Sequence, residues 1–157
     1  MAVKPIPEGY HTLTTYLTVD NASDAIDFYK RAFGAKERMR MDAPGGKIGH
    51  AEIQIGDSVV MLSDPFPGST LKPPTELGGS ASGIFMYSED VDATIQKAVD
   101  AGATLEKEAE DMFWGDRFGS VIDPYGHLWS IATHTRDLSP EEIAEGAKAA
   151  MAAMSSS

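Results

Sequence analysis

The chain has 157 residues, of which 42% are apolar and 24% charged, with a net charge of −11 and no cysteine. This balance describes a globular protein in water, one that nucleic acid and anionic membrane surfaces repel at long range and that has neither disulfides, thiolate metal ligands nor a cysteine nucleophile. No segment approaches the roughly 18 consecutive apolar residues that span a bilayer, and the start, MAVKPIPEGYHTLTTYL, lacks a basic head followed by an apolar run, so the chain reads as cytoplasmic without a signal peptide.

The first element in chain order is LTTYLTVD, residues 13–20, which alternates as a strand does. Leu13, Leu17 and Val19 belong to its apolar face, and Thr14, Tyr16 and Thr18 to the other. NASDAIDFYKRAFGA then changes period. Ile26, Tyr29 and Phe33 stand at helical spacing, Asn21 or Ser23 is placed to cap the start, and Gly34 suits the left-handed position that ends a helix. Three strands are expected next, KERMRMD, GHAEIQIG and SVVMLSD, with Gly56-Asp57 as a hairpin turn and DAPGGKIG as a plain turn.

The second half replays the first. GIFMYSE reads as a strand, and DVDATIQKAVDAGA as a helix with Val91, Ile95, Ala98 and Val99 on one stripe; Gly102-Ala103 repeats Gly34-Ala35 about 68 residues later. TLEKEAE, RFGSVID and LWSIATH supply three more strands, the last two joined by an Asp123-Pro124-Tyr125-Gly126 turn. The Pro-, Gly- and Ser-rich connector DPFPGSTLKPPTELGGSAS reads as a loop. Each module is therefore β-α-β-β-β and the fold class α+β. Residues 1–138 form a single domain, with module 1 over about 12–64, a linker over 65–81 and module 2 over about 82–135. A C-terminal helix is expected over 139–154, with Ser139 as its cap and Pro140 in its first turn, followed by a disordered tail at 155–157. A four-stranded sheet under one helix leaves its other face bare, so the modules are expected to bury those faces against each other, within one chain or between two.

Taken together, YLTV, AIDFYKRAFGA, HAEIQIGDSVVMLSD, FWGDRFG and DPYGHLWSIATH resemble the vicinal oxygen chelate superfamily, the glyoxalase I, bleomycin-resistance and extradiol dioxygenase group, in its PhnB-like branch. The likeness runs from Thr12 to His134 and implies a paired half-barrel of two βαβββ modules, commonly in a homodimer. Metal-using members take one ligand from the first and one from the last strand of each module, typically His and Glu. The corresponding positions here are Thr14, Met61, Gly83 and Ser130, which do not make a divalent-metal site. The expectation is thus no metal and no cofactor, a divalent metal at a non-standard site being the alternative.

The same correspondence fixes which side chains look into the cavity. Tyr16, His50, Glu52, Phe85 and Tyr87 face inward, and Trp114, Asp116, Arg117 and Phe118 are expected at the rim before the strand; these nine are the candidate ligand contacts. Aromatic faces could stack on a planar ligand while Arg117 meets an anionic group, or Asp116 and Arg117 could pair to brace a loop. His50 and Glu52, two apart on one strand, are the candidate catalytic pair, with a structural pairing as the alternative. Trp129 and the Asp-Pro-Tyr-Gly turn read as structural, and His11, His127 and His134 as solvent-facing. The favoured function is a metal-free binder of a small aromatic or planar molecule. The alternative is a lyase, isomerase or dioxygenase working through His50 and Glu52.

Overall fold

The alternation of the first segment resolves into a short strand, β1 (Thr15–Thr18), whose Leu17 is buried together with the following Val19. The structure is a computed structural model and describes residues 2–156. Asn21 adopts a left-handed backbone (φ 61°, ψ 67°), which a short polar side chain tolerates. Its side-chain oxygen accepts the Asp24 N–H and so starts α1 (Ala22–Phe33). The Asp64 carboxylate caps the same helix end, accepting from the N–H groups of Asn21 and Ala22, and also from Ile48 N–H. Gly34, at φ 67°, ends the helix as its position in the sequence requires.

β2 (Lys36–Ala43), β3 (Lys47–Ile55) and β4 (Ser58–Ser63) complete the first module, with a single 3-10 turn (Pro44–Gly46) in the glycine stretch. The connector expected as a loop contains one helical turn, α2 (Pro74–Leu77), which the run of prolines and glycines concealed. Pro74 is buried against Gly126, where a Cβ would come within 2.7 Å of it, so the connector docks on the 123–126 turn. The second module repeats the first as β5 (Gly83–Tyr87), α3 (Val91–Ala101), β6 (Thr104–Asp111), β7 (Asp116–Ile122) and β8 (Leu128–His134). α4 (Pro140–Ser155) has Ser139 as its N-cap; Ser155, placed in the disordered tail by the sequence reading, is helical, and Ser157 of that tail lies outside the described residues.

The strand orders are β1-β4-β3-β2 and β5-β8-β7-β6, with the first pair of each sheet parallel and the rest antiparallel. One face of each sheet carries its helix. Leu17, Ala51, Ile53 and Leu62 lie buried under α1, and Val121, Trp129 and Ile131 under α3; each large apolar side chain removed from water contributes about 1.5–3 kcal/mol. The modules meet through α1 and α3. Across that junction Trp129 packs on Tyr29 and Phe33, with ring centroids 5.4 and 4.6 Å away. The buried Asp123 carboxylate accepts from the Tyr29 hydroxyl (2.6 Å) and Trp129 Nε1 (2.9 Å), which makes this turn and Trp129 structural as expected. His127 departs from its solvent-facing reading. It is 9% exposed and its Nε2 donates to the Thr18 carbonyl at 3.0 Å, because the turn carries it into the junction.

Since the helices occupy the junction, the bare sheet faces do not cover each other within the chain. Tyr16, Phe85 and Tyr87 remain 40%, 50% and 63% exposed.

Candidate functional site

Strand parity places the predicted residues on those bare faces. On the first sheet, register sets Tyr16 and Glu52 on either side of Met61. His50 lies between the other two: its Nδ1 is 3.0 Å from the Tyr16 hydroxyl and its Nε2 3.3 Å from Glu52 Oε1. Tyr10, from the segment ahead of β1, puts its buried hydroxyl beside Glu52 without closing a hydrogen bond of regular geometry, and Arg38 lies 5.2 Å above the Tyr10 ring. That hydroxyl, then His50 and Arg38, hold the Glu52 carboxyl below the usual glutamate range against the opposing effect of burial. The row is a hydrogen-bonded Tyr–His–Glu relay, able to pass a proton or to bind a polar group.

On the second sheet the predicted aromatics converge into one ledge. Phe85 stacks near-parallel on Phe118 (centroids 5.8 Å apart, planes at 23°), Tyr87 lies 5.2 Å from Phe85, and Trp114 meets Phe118 edge-on at 5.8 Å. The small residues Ser130 and Ala132 of β8, between β5 and β7 in the register, leave room for these rings to lean together. Beneath them Asp116, only 3% exposed, accepts through Oδ2 from Trp114 Nε1 (3.0 Å) and the Tyr87 hydroxyl (3.2 Å). Its other oxygen meets His134 Nδ1 at 2.8 Å, and His134 Nε2 meets Asp137 at 2.8 Å. A carboxylate only accepts, so both bonds form when the imidazole carries both protons. Hydrogen bonding to Asp137 and then Asp116 accordingly raises the His134 pKa above the ordinary imidazole value. Burial and Asp116 together raise the Tyr87 phenol.

Arg117 is turned away from this ledge. One residue out of phase with Asp116 and Phe118 in the same strand, it reaches Asp92 at the start of α3 through Nε (2.7 Å) and Nη2 (3.0 Å), and Asp111 through Nη1 (3.4 Å). The brace that the sequence suggested exists, but its carboxylates are Asp92 and Asp111 rather than Asp116. Asp116, Arg117 and Phe118 lie inside β7 and not ahead of it.

His134 is exposed as expected, with 52% of its side chain accessible, yet it also reaches Asp116 on the ledge side; the strand parity it shares with Ser130 and Ala132 was the signal for that second contact. Tyr10 and Asp137 carried no such signal, since both lie outside the strands.

A cavity of about 740 Å³ runs between the modules along the unpaired edges of β1 and β5. Phe33 and Trp129 form part of its apolar lining, and Phe85 and Tyr87 join it to the ledge. A metal of the kind held by metal-using relatives does not fit the residues at the corresponding positions. Thr14, Met61 and Ser130 offer two hydroxyls and a thioether, and Gly83 has no side chain. Among the described residues no three His, Asp or Glu side chains converge as an alternative cage.

A sequence profile of the Glyoxalase/Bleomycin resistance protein/Dioxygenase superfamily matches residues 10–131. An uncharacterised protein of Mycobacterium tuberculosis strain H37Rv is 45% identical over 134 residues, covering 83% of this chain and 79% of that one. The X-ray structure of an Arabidopsis thaliana gene product superimposes with a TM-score of 0.64 at 29% identity, over 78% of this chain and 98% of that one. The crystal structure of TioX from Micromonospora sp. ML1 gives 0.62 at 26% identity, over 82% and 100%.

Proposed function

This chain belongs to the Glyoxalase/Bleomycin resistance protein/Dioxygenase superfamily, and on that premise we propose that it is a cytoplasmic, metal-free binder of a small planar or aromatic molecule. The ligand lies on the ledge formed by Phe85, Tyr87, Trp114 and Phe118 and reaches into the adjoining cleft. One observation carries the reading: Phe85 and Tyr87 are half-exposed or more, yet Tyr87 and Trp114 are pinned from below by a buried carboxylate. Exposed aromatic side chains that are held rigid lose little conformational freedom when a ligand stacks on them. Arg117, committed to Asp92, braces β7 against α3 and takes no part in binding.

A homodimer completes the site. Two copies arranged so that the Tyr16–His50–Glu52 face of one stands over the ledge of the other enclose a cavity between sheets, and cover apolar surface that is open in a single chain.

The test is a thermal-shift panel of planar compounds, read together with tryptophan fluorescence. At least one compound should raise the melting temperature saturably and quench the emission. A broad panel that moves neither readout refutes the binder.

A second reading has its own observation, the unbroken relay from the Tyr16 hydroxyl through His50 to Glu52. In that reading the protein is an enzyme of the lyase or isomerase type, with Glu52 and His50 as its base and acid. Turnover of a bound ligand that disappears in a folded Glu52→Gln variant would establish it, and turnover unaffected by that change would dismiss it.

A further inference from the structure

We infer that the ledge selects a positively charged aromatic molecule, an aryl ammonium or N-alkylated heteroaromatic cation, over neutral and acidic planar compounds. The inference rests on the planar-binder reading and adds the sign of the ligand's charge.

The electronic state of the rings favours a cation. The face of an aromatic ring carries negative potential and attracts cations. Tyr87 and Trp114 both give their polar hydrogens to the same oxygen, Oδ2 of Asp116. A ring that donates its O–H or N–H to an anion gains electron density, so its face becomes a better seat for positive charge. Asp116 is 3% exposed, so water screens this polarisation little.

The surroundings of the ledge are negatively charged as well. Across the small side chains of Ser120 and Ser130 stands Glu106, an exposed carboxylate that accepts from the Ser120 hydroxyl. Two of the neighbouring cations are committed elsewhere. Arg117 is bound to Asp92 and Asp111 on the opposite side of the sheet, and Lys107 to Glu110 at 2.6 Å. His134 lies between Asp116 and Asp137, two negative charges against its one. Lys97 lines the cleft from α3, behind β5. An anionic ligand would therefore approach electron-rich rings and a carboxylate on a chain of net charge −11. A planar cation stacks on the rings and meets Glu106 at the edge.

The experiment titrates the full-length protein at pH 7 and low salt with three molecules of one ring size: N-methylquinolinium, quinoline and quinoline-carboxylate. Calorimetry and tryptophan quenching report the affinities. The cation should bind roughly tenfold or more tightly than the neutral ring, and the anion most weakly. Added salt should erode the cation's advantage, and Glu106→Gln, at an exposed position, should lower the cation's affinity several-fold more than that of quinoline. Equal affinities for cation and neutral ring, or a preference for the anion, overturn the inference and leave the planar binder standing. Failure of all three to bind overturns the inference, and failure of the broad planar panel as well overturns both.

Discussion

His134 and Asp116 face each other across the β7–β8 pairing, Nδ1 to Oδ1 at 2.8 Å, and this bond ties the segment after β8 to the carboxylate that holds the ledge. The other ring nitrogen binds Asp137, so the imidazolium carries the coupling. Its pKa is raised in the folded chain, by Asp137 first and Asp116 second. A group raised on folding contributes stability that is complete below its unfolded value, about 6.5 for histidine, and is lost as the pH climbs through the folded value. Tryptophan emission and ligand affinity should therefore be constant on the acid side and change in a single step above pH ~6.5. His134→Gln should abolish that step. The same step in the variant would assign it to another group.

Tyr29 and Asp123 hold the two modules together in the same way that His134 and Asp116 hold the ledge. Burial and the Asp123 charge push the Tyr29 phenol well above its ordinary pKa, so it remains a donor throughout the working range. Tyr29→Phe deletes one bond to an ionised partner and should cost about 2 kcal/mol in urea unfolding. Asp123 keeps Trp129 Nε1 and the N–H groups of Tyr125 and His127, so the turn should hold and the slope of the denaturation curve should not change. A loss near zero would mean that the Tyr29–Asp123 bond contributes little to the junction.

These two relationships mark how far the sequence could be read. The period of two in LWSIATH separated Trp129 and Ile131 from Ser130 and Ala132, and both sides of that division hold in the structure. Parity likewise put His50 and Glu52 together on the bare face. Pattern says nothing about long-range partners. That Asp116 would take Tyr87, Trp114 and His134, while its neighbour Arg117 turned to Asp92, depends on which strands lie side by side. His127 shows the same limit, since a turn residue is exposed only where no second module stands over it. The relation between modules was the least legible feature, because sheet amphipathicity states that a face needs covering and not what covers it.

Gly115 fastens the segment after β8 from the other side. Its carbonyl accepts the N–H groups of Thr135 and Arg136 and the Thr135 hydroxyl, at φ +99°, where a Cβ would stand 2.4 Å from the Arg136 carbonyl oxygen. Both the backbone angle and the close approach require glycine. Gly115→Ala should destabilise the fold by about 2 kcal/mol, and the Thr135 and Arg136 amides should lose hydrogen-exchange protection before those of β3. Unchanged protection at those two amides would show that the segment is held by other contacts.

The exposed apolar residues along the β1 and β5 edges bear on the assembly. Leu13 is 88% exposed, Tyr87 63%, Phe85 50% and Tyr16 40%, and Leu13, Phe85 and Tyr87 all border the cleft between modules. Large apolar side chains left open on two sheets without a partner favour association, and a stable pair needs about 800 Å² buried on each chain. Light scattering on the eluting protein should give twice the 16.8 kDa of one chain. Leu13→Lys combined with Tyr16→Lys sets two charges where apolar surface would be buried, and it spares the helix-side core. The double variant should elute at the mass of a single chain with its far-ultraviolet spectrum unchanged. It should also bind ledge ligands more weakly, because the face that closes the cavity is gone. A wild-type protein that stays at 16.8 kDa at the highest accessible concentration would refute pairing and confine binding to a ledge open on one side.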